Sequence, residues 1–211
     1  MVTGQVADSG FVMYPRFMQD VPRQPGTHED PTPPAPGDLE LVRSFMSVHD
    51  HVYGTKDSLP PSPETIGWWL EHWGLIATDE PPTEEDLLWV SEVLEALRTR
   101  VGENRGVARD THAIKTLDEA ARDAGLSVRF GDERLQPTVP GVRGAIGRIL
   151  AIAFVSELDG TWSRFKECSS PVCRSVFWDR SKNRSGRWCT MKDCGNRAKV
   201  RAYRERERSA S

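Results

Sequence analysis

Residues 168–197 read CSSPVCRSVFWDRSKNRSGRWCTMKDCGNR, and they hold all four cysteines of the 211-residue chain. The cysteines form two pairs with equal gaps, Cys168-x4-Cys173 and Cys189-x4-Cys194, separated by fifteen residues. Two cysteines a few residues apart on a tight turn offer two corners of a tetrahedron, and a short hairpin brings a second pair beside the first. The five histidines, at 28, 49, 51, 72 and 112, all precede this segment, so the donor set is sulfur alone. With all four positions filled, no place remains for a catalytic water. The spacing therefore predicts one structural Zn²⁺ on Cys168, Cys173, Cys189 and Cys194. Two other readings compete: a pair of disulfides, or thiols acting as a redox sensor. The N-terminus MVTGQVADSG lacks the basic start and apolar core of a secretory signal, which favours a reducing, cytoplasmic setting over disulfides. A redox dithiol usually shows the tighter C-x-x-C.

Within the segment, SVFWD is expected as a strand, SKNRSG as a turn and RWC as a return strand that delivers Cys189. Cys194 is expected to open a final helix over 195–208, where the helix dipole favours an anionic ligand. On that helix Arg197, Arg201, Arg204 and Arg208 step by four, three and four and share one face. Lys199 and Arg206 lie off the stripe, which leaves Ala198, Ala202 and Tyr203 free to pack against the finger or the body. From Arg164 to Arg208 the chain carries 14 Lys+Arg against 5 Asp+Glu; the remainder carries 14 against 26. The overall net charge of -3 thus conceals an acidic body with a basic, polyanion-seeking end. Arg184 and Arg187 of the turn are expected to add phosphate contacts to those of Arg197, Lys199, Arg201, Arg204 and Arg208.

Upstream the pattern turns helical. Residues 1–37, with PRQPGTHEDPTPPAPG at their end, are expected to be extended and flexible; FVMYPRFM before it could dock as an edge strand. From a cap at Asp38, the positions Leu41, Val42, Phe45, Val48, His49 and Val52 predict a helix that Gly54 ends. Ser62-Pro63 starts the next, with Ile66, Trp69, Leu70 and Trp73 on one face. Thr83 and Asp86 form a loose capping box before a helix whose stripe is Leu87, Val90, Leu94, Leu97 and Val101. A fourth helix is expected from about Asp110 to Ala124, stopped by Gly125. LSVRF and LQPTV then read as hairpin arms, with Pro137 confining the second to an edge. A last body helix over 142–160 is expected to bury Ile146, Ile149, Leu150, Ala153 and Phe154. The fold class is mainly α with a small β-sheet: a helical domain over 38–160 and a four-cysteine ββα-like module over 161–208.

The body offers no linear catalytic motif, and no enzyme is expected. His49 and His51 stand two apart, about 200° on a helix, so they do not converge on a metal. Trp68, Trp69 and Trp73 follow plain helical spacing, as core aromatics do. Gly141, Gly144 and Gly147 lack the lysine and strand–turn–helix context of a phosphate loop and suit close helix packing. No apolar run approaches the roughly 18 residues of a membrane span.

CSSPVC, FWDRSKNRSGRWC and CGNRAKVRAYRER resemble the CGNR zinc finger family over about 162–206, with Trp178, Asp179, Asn183, Trp188 and Tyr203-Arg204 in register beside the cysteines. That resemblance implies zinc on Cys168, Cys173, Cys189 and Cys194 and a module that binds DNA. It also implies an N-terminal helical domain called ABATE, associated with stress-induced transcription regulation in bacteria. ELVRSFMSVHDHVYG and PETIGWWLEHWGLI resemble its opening helices, although Met46-Ser47-Val48 replaces the family's usual Asn-Thr. A cytoplasmic, DNA-binding transcription regulator is the function expected. One finger contacts few bases, so a homodimer on duplex DNA is expected, with an unknown small-molecule effector for the body. The alternatives are a zinc-stabilised protein-interaction module, and a small-molecule-sensing domain with an RNA- or DNA-binding tail.

Overall fold

The computed structural model describes residues 32–48, 63–76, 81–131, 134–171, 173 and 175–210. In chain order the elements are α1 (Leu39–Phe45), α2 (Pro63–His72), α3 (Glu84–Glu103), α4 (Thr111–Asp123), β1 (Ser127–Arg129), β2 (Arg134–Gln136) and α5 (Gly141–Leu158). A 3-10 turn (Thr161–Arg164), β3 (Phe165–Glu167), β4 (Val176–Trp178), a π-helical turn (Met191–Gly195) and α6 (Asn196–Ala210) complete it. The fold is the expected one: a helical body, two two-stranded sheets and a C-terminal four-cysteine module. Among the described residues no helix is long and apolar enough to cross a membrane.

Local chemistry sets the helix ends. The Thr83 hydroxyl accepts from Asp86 N at 3.1 Å, and the Asp86 carboxylate accepts from Thr83 N at 3.0 Å, a full capping box for α3. Asp110 caps α4 by accepting from His112 N and Ala113 N. Gly125, at φ 59°, supplies the left-handed residue that ends it. The apolar faces then meet in one core: Val42 and Phe45 of α1, Ile66, Trp69 and Leu70 of α2, the α3 stripe, and Ile146, Ile149 and Leu150 of α5. Trp69 packs 5.5 Å from Phe45 and donates its indole N–H to Ser44 Oγ at 2.9 Å. At Gly147 a Cβ would stand 2.7 Å from the Ala124 Cβ and 2.9 Å from that of Pro137, so α5, the end of α4 and the hairpin meet at that glycine. In the hairpin, Val128 lies opposite Leu135, and Pro137 falls just beyond β2.

Five expectations change. Asp38 makes no side-chain cap, and α1 ends at Phe45 instead of continuing to Val52. Past Phe45 the chain tightens into a turn, Ser47 N and Val48 N donating to the Ser44 and Phe45 carbonyls, and tertiary partners fix it there. Arg98 donates to the Met46 carbonyl at 2.8 Å, and Ser47 Oγ donates to the Val176 carbonyl at 3.3 Å. Phe154, expected in the core, is 51% exposed. The end of the proline-rich head is seated: Thr32 and Ala35 are buried, and the Pro34 carbonyl accepts from Arg180. Finally, β4 pairs antiparallel with β3, Phe165 opposite Trp178, and 187–189 is not a strand. The FVMYPRFM segment, the His49/His51 pair, Val52, Gly54 and the Ser62 cap lie outside the described residues.

The β3–β4 hairpin joins module to body. Phe165, Val176 and Trp162 belong to the main core, with Trp178 packed against it. Polar contacts at the C-terminal end of α3 add to this. Asn104 donates to the carbonyls of Trp162 (2.9 Å) and Phe165 (3.1 Å), and the buried Lys166 donates back to the Asn104 carbonyl. Arg105 donates to Ser169 Oγ at 2.8 Å and to the Gly186 carbonyl at 3.2 Å. Arg98 reaches Glu167 at 3.6 Å.

Candidate metal centre

Each cysteine is placed by a short-range device. Cys168 follows β3, its N–H donating to the Ser175 carbonyl at 2.9 Å, and Cys173 N donates to the Ser170 carbonyl at 3.1 Å to close the first turn. Ser169 N donates to the Arg187 carbonyl at 2.8 Å, which pins the returning segment, and so Cys189, against that turn. With Arg105 donating to the Gly186 carbonyl, this bond does the work expected of a return strand. Cys194 sits in the π-helical turn ahead of α6, not at the start of α6. Thr190 caps that turn by accepting from Asp193 N at 3.2 Å.

The four Sγ atoms lie within 4.8 Å of one another, with Cys173–Cys189 at 3.6 Å and Cys189–Cys194 at 3.7 Å. A tetrahedral site with Zn–S near 2.3 Å has sulfur–sulfur edges of about 3.8 Å, so the donor set fits zinc. Cys168, Cys189 and Cys194 are buried and Cys173 is half-buried, leaving little access for water. The electrostatics agree. Hydrogen bonds from Cys168 and Cys189 pull the Cys173 thiol down, whereas its neighbours Cys168 and Cys173 push Cys189 up. Burial, helped by the charge of Cys168 and Cys173, pushes Cys194 up to about 12. Four sulfurs this close cannot all ionise by themselves; a divalent cation lets them do so together.

Residues 164–207 match the CGNR zinc finger family. No curated protein matches the chain. The finger's four cysteines are positioned to hold one structural zinc ion. Its sulfur end has only a small cluster of its own, in which Cys168, Phe177, Cys189 and Cys194 are buried and Trp188 packs on them.

Asp179 organises the finger loop, a role its place in the motif did not disclose. Its carboxylate accepts from Ser181 N at 2.9 Å and Gly186 N at 2.7 Å. At Gly186 a Cβ would lie 2.7 Å from that carboxylate, so the loop closes on glycine. Burial opposes the charge of Asp179, but the hydrogen bonds from Ser181 and Gly186 prevail and hold its carboxyl below the usual carboxylate range. We expect Asp179→Asn to lower stability by about 1–3 kcal/mol, because an amide nitrogen cannot accept from a buried N–H. A depressed carboxyl stabilises above its unfolded value, near pH 4, and ceases to do so as pH falls through the lower folded value. The wild-type-minus-variant difference in urea midpoint should thus be flat near neutrality and shrink in acid. A difference independent of pH would remove the charge from this account.

The expected nucleic-acid residues divide. Arg197, Arg201, Arg204 and Arg208 share one face of α6, and from Asn196 to Ser209 every residue except Ala198 is exposed. Ala202 and Tyr203 therefore do not pack against finger or body. Their helix follows directly on the metal turn, with almost all of its side chains open to solvent. Asp193 holds Arg197 through two hydrogen bonds of 2.7 Å. Lys199 lines the opposite side with Glu205 and Arg206. In the loop, Arg184 donates to Ser163 Oγ at 2.7 Å, and the Arg187 guanidinium lies 5.3 Å over the Trp188 ring.

Proposed function

We propose that the chain is a zinc-dependent, cytoplasmic transcription regulator that binds duplex DNA through α6. The observation that carries this reading is an exposed helix bearing four aligned arginines, fixed at one end by the metal turn. A helix of 15 residues with almost every side chain exposed is marginal in water, so it gains order from what it contacts. Its arginine face suits phosphates and the major groove. Arg201 and Arg204 are the central contacts, because Arg197 is already tied to Asp193. Lys199, Arg184 and Arg187 are secondary. In this reading the body senses a signal, and no reaction is catalysed.

The double variant Arg201→Glu, Arg204→Glu should weaken duplex binding by roughly 10- to 100-fold and make log K against log salt shallower by about 2. Both side chains are exposed, so the melting temperature should hold. Unchanged affinity in fluorescence anisotropy would take α6 out of the interface. Selecting duplexes from a random pool, at stated salt, would then define the site. A second reading, an acidic protein partner, draws on Val200 and Tyr203, exposed at 42% and 57%. Heparin-resistant preference for one duplex favours DNA; indifference to duplex favours the protein.

A further inference from the structure

The α5 sequence between Gly144 and Val155, GAIGRILAIAFV, is apolar all round except at Arg148. A helix of that kind is ordinarily buried on every side. Its C-terminal half is not: Phe154, Val155 and Leu158 are 51%, 48% and 72% exposed. Arg148, Ile152, Val155 and Asp159 step by four, three and four, so they form one seam about 16 Å long, with Leu158 beside it. The ends of the seam carry guanidinium and carboxylate in turn, although Asp38 of the α1 start also faces Arg148. Arg148 is exposed at one, and Asp159, whose Oδ1 accepts from Thr161, is exposed at the other. Glu157, on the far edge, is already held by Arg100 at 2.7 Å.

We infer that this seam docks a second copy of the chain, α5 against α5, antiparallel about a two-fold axis between Ala153 and Phe154. A surface that is positive at one end, negative at the other and apolar between is complementary to itself only in that orientation. Arg148 then faces Asp159 of the partner subunit, and Ile152 faces the partner's Val155. The parallel arrangement sets arginine against arginine. The seam is smaller than the roughly 800 Å² per partner of a standard interface, so the dimer is weak, on the order of micromolar. It forms without nucleic acid and is independent of what α6 binds.

Sedimentation of the zinc-loaded full chain from about 1 to about 100 µM tests this. A concentration-dependent dimer is expected, and Val155→Glu should weaken it by at least about tenfold. Position 155 is half exposed, so an unchanged melting curve confirms that the variant folds. Arg148→Asp and Asp159→Arg should each weaken self-association, but mixed together they should pair, since each supplies the charge the other has lost. A monomer throughout that range overturns the inference, as does a dimer indifferent to Val155→Glu; the face would then cover residues 1–31 of this chain or a foreign protein. Should Asp159→Arg fail to fold, Val155→Glu decides alone. A monomer that binds duplex through Arg201 and Arg204 sinks the dimer and leaves the DNA reading standing, and a dimer that ignores duplex does the reverse.

Discussion

Cys189→Ser is expected to lower zinc affinity by more than about 100-fold and to unfold the sulfur end of the finger. Cys189 links the two pairs, 3.6 Å from Cys173 and 3.7 Å from Cys194. A serine hydroxyl is a poor neutral-pH ligand, and at a position 8% exposed it also buries a polar group. Structural zinc contributes about 10–16 kcal/mol in isolated fingers, as much as the whole stability of a typical domain. The small cluster around Phe177 and Trp188 cannot replace that. With the π-helical turn lost, α6 loses its anchor and, being exposed along nearly its whole length, should fray. Elemental analysis for zinc, with circular dichroism of the helix, checks this. Full metal occupancy in the variant would refute the four-sulfur assignment.

Phe165→Ala should cost about 3–5 kcal/mol, the range for emptying a buried aromatic site. Phe165 is fully buried, with Trp162 at 5.2 Å and Trp178 at 5.1 Å, both near edge-on. Although it lies in the finger by sequence, it packs in the body core. The loss should therefore lower the unfolding midpoint of the body and weaken zinc retention together. Urea unfolding of the zinc-loaded chain, followed at once by tryptophan fluorescence and metal release, should show one shifted transition. Two transitions, with only the metal-linked one moved, would mean that body and finger unfold independently.

The coupling explains which parts of the molecule could be read in advance. The cysteine spacing, the Thr83 capping box, Gly125 and the α3 stripe act within a few residues, and they are found where the pattern places them. Residues acting across the fold carried weaker signals. Arg98 interrupts the apolar face between Leu94 and Val101, a visible hint of a buried charge with a distant partner. Asn104 and Arg105 follow a helix end and look like ordinary loop residues, yet they hold the finger.

Sequence alone determined the donor set, the class of fold and the arginine face of α6, because side-chain chemistry and periods of three or four residues decide these locally. Tertiary structure alone decided where α1 stops, which strand pairs with β4, that α6 stands clear of the body and that Phe154 faces outward. Each of those depends on contacts between groups far apart in the chain, such as Arg98 with Met46 and Ser47 with Val176. No local period encodes such contacts.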